Sequence, residues 1–433
     1  MSKRALRSTC IGACAALSVL IVPAAASASL TSLWVSNSAP VSSPGNSCAH
    51  PGYATIQAAI AAAAPNATVH ICPGTYTEQL TIIQSVKIVA VDAAGSVKVV
   101  LPAAPANSKT ACDEAPGTGA YQPDQDGVSI CTAGTVTITG LTFEPKWASG
   151  PCDESLYGIL VAGGATLKVT NVTVDGGGAS PINGCQGGVS VQVGMAWTTP
   201  VEVGHATLAH DTITEYQKNG ITVDGTNSSA NVTSTNVVGA GATTQTAQNG
   251  IQVSNGALGI IKSSTVSGNE CDNAACGPEG FSQTQATGLL FYGAASGSLV
   301  TGSTLEGNDI GAYYVSSSAT QPTSPEVTIS KDVFNGNRYE GVALDQGDAS
   351  VKGDTITGPG EIGIDLFQYE AQAYAPTSSA SGDSITGMSE AAVEVQTDNA
   401  PGDKSGSFTI TKSSIAGNAH GVEDESTTFK VFL

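Results

Sequence analysis

Three carboxylates, Asp345, Asp365 and Glu394, recur at matched places in a repeated stretch, four, two and two residues after Gly341, Gly363 and Ala392. If those positions open consecutive coils, Asp365 and Glu394 lie one rung apart, about 4.8 Å, with Asp345 diagonal to Asp365. Like charges that close raise at least one pKa or recruit a cation. One carboxyl protonated and another ionised is the equipment of acid/base cleavage of a glycosidic bond. Tyr292, Tyr313 and Phe367 fall on the same face and offer flat surfaces to a sugar. Arg338, the one arginine after the first 28 residues, stands in the preceding turn as a charge partner. The bland alternative is an acidic, solvated sheet face in a protein that is acidic everywhere.

The element that places these residues is clearest in Asn249 to Asn269, NGIQVSNGALGIIKSSTVSGN. A Gly followed by an aliphatic residue recurs at positions 127, 158, 188, 220, 250, 288, 341, 363 and 421, with weaker copies at Gly311 and Ala392, mostly 22 to 32 residues apart. Such a period suits one supersecondary unit that buries its apolar face only by stacking on the next. Alternation of period two after each Gly marks strands. It predicts Ile221, Val223, Ile251, Val253, Val342, Leu344, Ile364 and Leu366 inside, with Thr222 and Gln252 outside. Gly-Asn pairs at 268, 307, 336 and 417 suit sharp corners. The expected class is all-β, a right-handed parallel β-helix.

Residues 1–28 read as a secretory signal peptide, with Lys3, Arg4 and Arg7 before an apolar run and Ala26-Ser27-Ala28 as the cleavage site. The chain carries 36 acidic and 16 basic residues, and loss of three basic ones with the signal leaves 13 against 36, a formal charge of −23. That balance opposes nucleic acid and anionic membranes, and a polyanion too unless divalent cations intervene. No later stretch is apolar and long enough to span a bilayer. Eight cysteines remain, Cys48, Cys72, Cys112, Cys131, Cys152, Cys185, Cys271 and Cys276. An even number in an exported chain points to disulfides, expected between sequence neighbours. Zinc spacing is absent. No cofactor is called for, although the acidic loops at Asp113-Glu114, Asp124, Asp126 and Asp153-Glu154 carry oxygens of the kind calcium takes. The reading to set beside that is solvated loops held by their disulfides.

Residues 29–47 form a Ser/Pro linker in this reading, and 48–433 a single domain, with a cap and first coils at 48–101 and repeat coils at 126–433. The cap is Tyr53 to Ala64, where Ile56, Ala59, Ile60 and Ala63 make a helical apolar face. The helix, Pro-Gly-Thr-Tyr-Thr-Glu and the two alternating strands of residues 67–92 together resemble the opening of pectin methylesterases and other pectin-lyase-like β-helix proteins. The resemblance implies the fold, a helix capping the first coil, and a site on the outward strand face. It does not extend to the esterase or polygalacturonase catalytic motifs. Val333 to Arg338 and Ala419-His420-Gly421 are isolated echoes. Two function classes stay open: a secreted scaffold that binds glycans or a cell surface, slightly favoured by the missing motifs and scarce cations, and a polysaccharide lyase or hydrolase. Oligomeric state is not encoded in any motif.

Overall fold

The computed structural model describes residues 30–43, 45–107, 110, 112, 125–148, 156–272, 286–316, 325–368, 375–397, 405–427 and 429–433. Each coil follows one path through three parallel sheets, called I, II and III. Asn219–Asp224 in sheet I leads to Ser229–Thr233 in sheet II, Asn236–Thr243 in sheet III, and back to Asn249–Ser254 in sheet I. Sheets I and III have 12 strands each and sheet II has 14. The eight aliphatic residues expected inside are at most 1% exposed and belong to one continuous core. They stack in register, Ile221 on Ile251 and Val342 on Ile364.

The repeated Gly has a packing cause. A Cβ on Gly250, Gly288, Gly311 or Gly341 would sit 2.6–2.7 Å from the carbonyl oxygen of the next rung. At Gly250 it would also strike Val266. Gly250→Ala is therefore expected to lower stability by about 1–3 kcal/mol, read as a shifted denaturant midpoint at unchanged m-value. The Gly-Asn corners divide the labour. Gly268, Gly307, Gly336 and Gly417 take positive φ. The asparagines turn inward instead: Asn269 Nδ2 donates to Asn308 Oδ1 at 2.8 Å and Asn308 Nδ2 to Asn337 Oδ1 at 3.2 Å.

A second ladder runs along the corner between sheets II and III. The backbone N–H of Ser303 donates to Asp332 Oδ1 at 2.6 Å, that of Asp332 to Asp354 at 2.6 Å, and that of Asp354 to Asp383 at 2.9 Å. Each side chain thus satisfies a buried donor of the coil before it. Burial pushes Asp332 up to about 7 and Asp354 up to about 8.

At the N-terminal end a helix covers Ile56–Ala62 and buries Ile56, Ala59 and Ile60. Thr55 caps it, and Glu78, the last residue of the Pro-Gly-Thr-Tyr-Thr-Glu run, accepts from the Ile56 and Gln57 N–H groups, both at 2.9 Å. The stretch expected as linker contains a strand, Leu30–Val35, which adds the first strand to sheet II. Its cause is alternation, with Leu33 and Val35 at 1% and 0% exposure. Cys48 is bonded to Cys72, and Cys112 to Cys131. Cys185 and Cys271 are also disulfide-bonded, while Cys152 and Cys276 lie outside the described residues, as does the expected signal peptide. Replacing Cys48 and Cys72 by Ser should cost about 2–4 kcal/mol of unfolding free energy by releasing the loop between them.

Candidate functional site

On the outer side of sheet I, register makes columns. Leu290 pairs with Tyr313, Tyr313 with Ala343, Ala343 with Asp365, Asp365 with Glu394, and Glu394 with Glu423. Val315, Asp345, Phe367 and Gln396 form the column beside it. Asp365 therefore stacks directly under Glu394, with Asp345 diagonal to it. The face is not solvated: Asp365 is 2% exposed and Glu394 6%. Burial, first, and the charges of Glu340, Glu394 and Asp345 hold the Asp365 carboxyl well above the usual carboxylate range. Burial and the neighbouring Glu390, Glu425 and Glu423 push Glu394 up to about 7. The Gln396 amide approaches Asp365 at 3.4 and 3.5 Å.

Sequence alternation missed Glu340. The residue just before each Gly should share the inward parity of the residue after it, yet the ladder skips the Gly and the preceding side chain projects outward. Asn219 shows this by donating to Thr222 Oγ1 at 2.9 Å and Gln252 Oε1 at 3.1 Å. Glu340 occupies that place one rung below Asp365, 4% exposed. Burial and the charges of Glu361 and Glu394 push it up to about 8. Glu340 Oε2 and Glu394 Oε2 are buried and accept no hydrogen bond. The one sequence signal was a polar residue recurring before Gly, as at Asp126, Asn219, Asn249 and Glu340. Alternation likewise gave no hint of Lys218, whose ammonium donates to the Ala247 carbonyl and is lowered to about 8 by burial.

Two expectations about neighbours need correction. Arg338 does not serve the carboxylate stack: its ion pairs are with Asp309 at 3.5 Å and Glu270 at 3.7 Å, and it donates to Tyr339 Oη at 2.7 Å. The turn carrying it points to the return between sheets III and I, where Asp309 also accepts from the N–H groups of Cys271 and Ala286. Phe367 offers no flat surface. It is fully buried in an outer cluster with Ile310 and Ala343, against which Tyr313 packs with ring centroids 6.2 Å apart. Tyr313 Oη lies 3.5 Å from Asp345 Oδ2, and Tyr292 is 51% exposed. Among the described residues no group of three His, Cys, Asp or Glu is placed to hold a metal ion. Of the acidic loop residues named for calcium, only Asp126 lies within the described segments.

A family model for the right-handed β-helix region matches residues 120–380, and the chain belongs to that family. Among solved structures, the periplasmic alginate epimerase AlgG is 11% identical, covering 83% of this chain and 78% of its own, with a TM-score of 0.46. The A-module of the Azotobacter vinelandii mannuronan C-5 epimerase AlgE4 is 13% identical over 87% and 94%, with a TM-score of 0.48. A GH136 lacto-N-biosidase from Eubacterium ramulus is 11% identical over 93% and 68%, with a TM-score of 0.49. At this distance they bear on no residue of the site. No curated protein matches the chain.

Proposed function

We propose that the protein is an exported, carbohydrate-acting β-helix that hydrolyses a glycosidic bond with Asp365 as general acid and Glu394 as its ionised partner. The observation that carries this reading is the stacking of two buried carboxyls on adjacent rungs, with no cation engaging them among the described residues and their pKa values pushed up by different neighbours. Such a pair holds one proton donor and one carboxylate near neutral pH. A separation of about one rung approaches the roughly 5 Å of the double-displacement geometry, so the product should retain anomeric configuration. Asp345, beside the Tyr313 hydroxyl, raises Asp365 further. Tyr292 supplies an exposed ring toward which a sugar could stack. A lyase is disfavoured because Arg338 is engaged elsewhere.

In this reading the signal peptide directs export, which the disulfides fit. The Ile56–Ala62 helix would close the first coil of one domain running from the Leu30–Val35 strand to the last residues. Among the described residues no helix is long and apolar enough to cross a membrane. The expected behaviour is a rate of reducing-end release that rises with pH through about 7 as Glu394 ionises. A rate that falls through that range would reject the assignment of roles. One observation favours a second reading, a noncatalytic glycan-binding scaffold: the low exposure of Asp365 and Glu394, which a purely structural stack would share.

A further inference from the structure

Sheet II differs from the other faces in charge and in cover. None of its 14 strands contains an Asp or Glu, in a chain with 36 of them. Its outward side chains are mainly Thr, Ser and Lys. Lys87, Lys168, Lys262 and Lys352 stand exposed on the strands, and Lys331 and Lys412 stand exposed immediately after two of them. Near sheet III, Lys98 is held by Glu144 at 2.6 Å and Lys146 by Asp175 at 2.8 Å. Lys430 stands exposed on the last strand, and no ion pair among the described residues holds any of these seven. The outward hydroxyls, such as Thr137, Thr170, Thr207 and Thr328, are all at least partly open to solvent.

We propose that this face is a docking surface for a linear carboxylated polysaccharide lying along the long axis of the solenoid. Fourteen strands at about 4.8 Å make a flat track on the order of 60 Å long. Lys87 and Lys168 are two rungs apart, Lys168 and Lys262 three, and Lys262 and Lys352 three. A cation therefore recurs every ~10–14 Å. Duplex nucleic acid, with one charge per roughly 1.7 Å of axis, is far too dense a partner for so sparse a row. The hydroxyls between the lysines donate to and accept from sugar hydroxyls. No large apolar side chain is exposed on the strands from Val86–Ala90 to Ser407–Thr411 to enter a bilayer. The net negative charge does not forbid an anionic partner. At physiological ionic strength the field of the acidic faces decays over about 8 Å, so the sign of the local face governs.

The test is affinity electrophoresis of the mature chain in gels containing polygalacturonate, with EDTA present so that no divalent cation bridges the two. Retardation is expected at low salt and should weaken as salt rises. The variant with Lys87, Lys168, Lys262 and Lys352 all replaced by Gln should bind at least roughly tenfold more weakly and with a shallower salt dependence, while keeping its circular dichroism. Asp365→Asn and Glu394→Gln should bind as the parent does, which separates this surface from the proposed hydrolytic site. The inference is overturned by any of four results. These are no retardation of the parent, undiminished binding by the quadruple variant, equal retardation in neutral dextran, or stronger binding to duplex DNA or phosphatidylserine vesicles than to polygalacturonate.

Discussion

Asp365→Asn is expected to reduce release of reducing ends from the polysaccharide substrate by about 10²–10⁴-fold, the usual worth of a general acid or base. The amide keeps the size of the carboxyl but has no acidic proton to transfer to a leaving oxygen. Glu394→Gln should lose activity comparably, and its residual rate should no longer rise through about pH 7, where the native carboxyl ionises. Stability separates this outcome from simple misfolding. Asp365 sits among Glu340, Asp345 and Glu394, which hold its carboxyl protonated above the pH at which the unfolded chain would ionise it, and a neutral amide removes the cost of that proton uptake. Both variants should therefore unfold at or above the parental denaturant midpoint at pH 8. A fall in stability that tracks the fall in activity would count against a chemical role.

The second large effect is on stability against pH. Burial first, with the like charges around them, pushes Glu340 and Asp354 up to about 8 and Glu394 up to about 7, and burial pushes Asp332 up to about 7, all above their ordinary values. Between about pH 4 and 8 the native state therefore binds more protons than the unfolded one. Unfolding free energy must fall as pH rises through that window, and is greatest at its acid end with respect to these groups. The melting temperature is expected to drop markedly from pH 5 to pH 8, the opposite of a protein held by ion-paired carboxylates. Glu340→Gln should flatten part of that slope and raise the melting temperature at pH 8. It leaves Glu340's buried, unaccepting oxygen replaced by a neutral group. A melting temperature that climbs from pH 5 to pH 8 would show that these carboxyls are ionised and paired in the native state.

The architecture was legible because a solenoid repeats its own constraint. Most coils need a Gly where the next carbonyl approaches, with aliphatic residues at alternate places after it, so Gly220, Gly250, Gly288 and Gly341 announce the stack together. The stacking of Asp365 on Glu394 followed from the same alignment. What alternation could not carry was anything that depends on the break at each Gly or on what covers a face. Glu340 was lost because the ladder skips Gly341 and turns the preceding side chain outward. Phe367 was misplaced because outward in a strand does not mean exposed once Tyr313 and Ile310 pack around it. Arg338 was near in sequence to the carboxylates but sits at a corner, where Asp309 and Glu270 on the preceding coils reach it first. The Asp332, Asp354 and Asp383 ladder carries no signal in the sequence, since only the coil geometry reveals that each carboxylate meets a backbone N–H of its neighbour. The strand Leu30–Val35 was hidden by the Ser and Pro residues that follow it.

The most direct measurement is to incubate the secreted, folded chain with a panel of neutral and acidic polysaccharides. New reducing ends and the ultraviolet absorbance of unsaturated products are followed together. The proposed chemistry predicts reducing ends from at least one polymer without unsaturated product, and their loss in Asp365→Asn. Unsaturated product would contradict hydrolysis, and no release from any polymer, or release undiminished in the variant, would contradict a catalytic role for the stacked carboxyls.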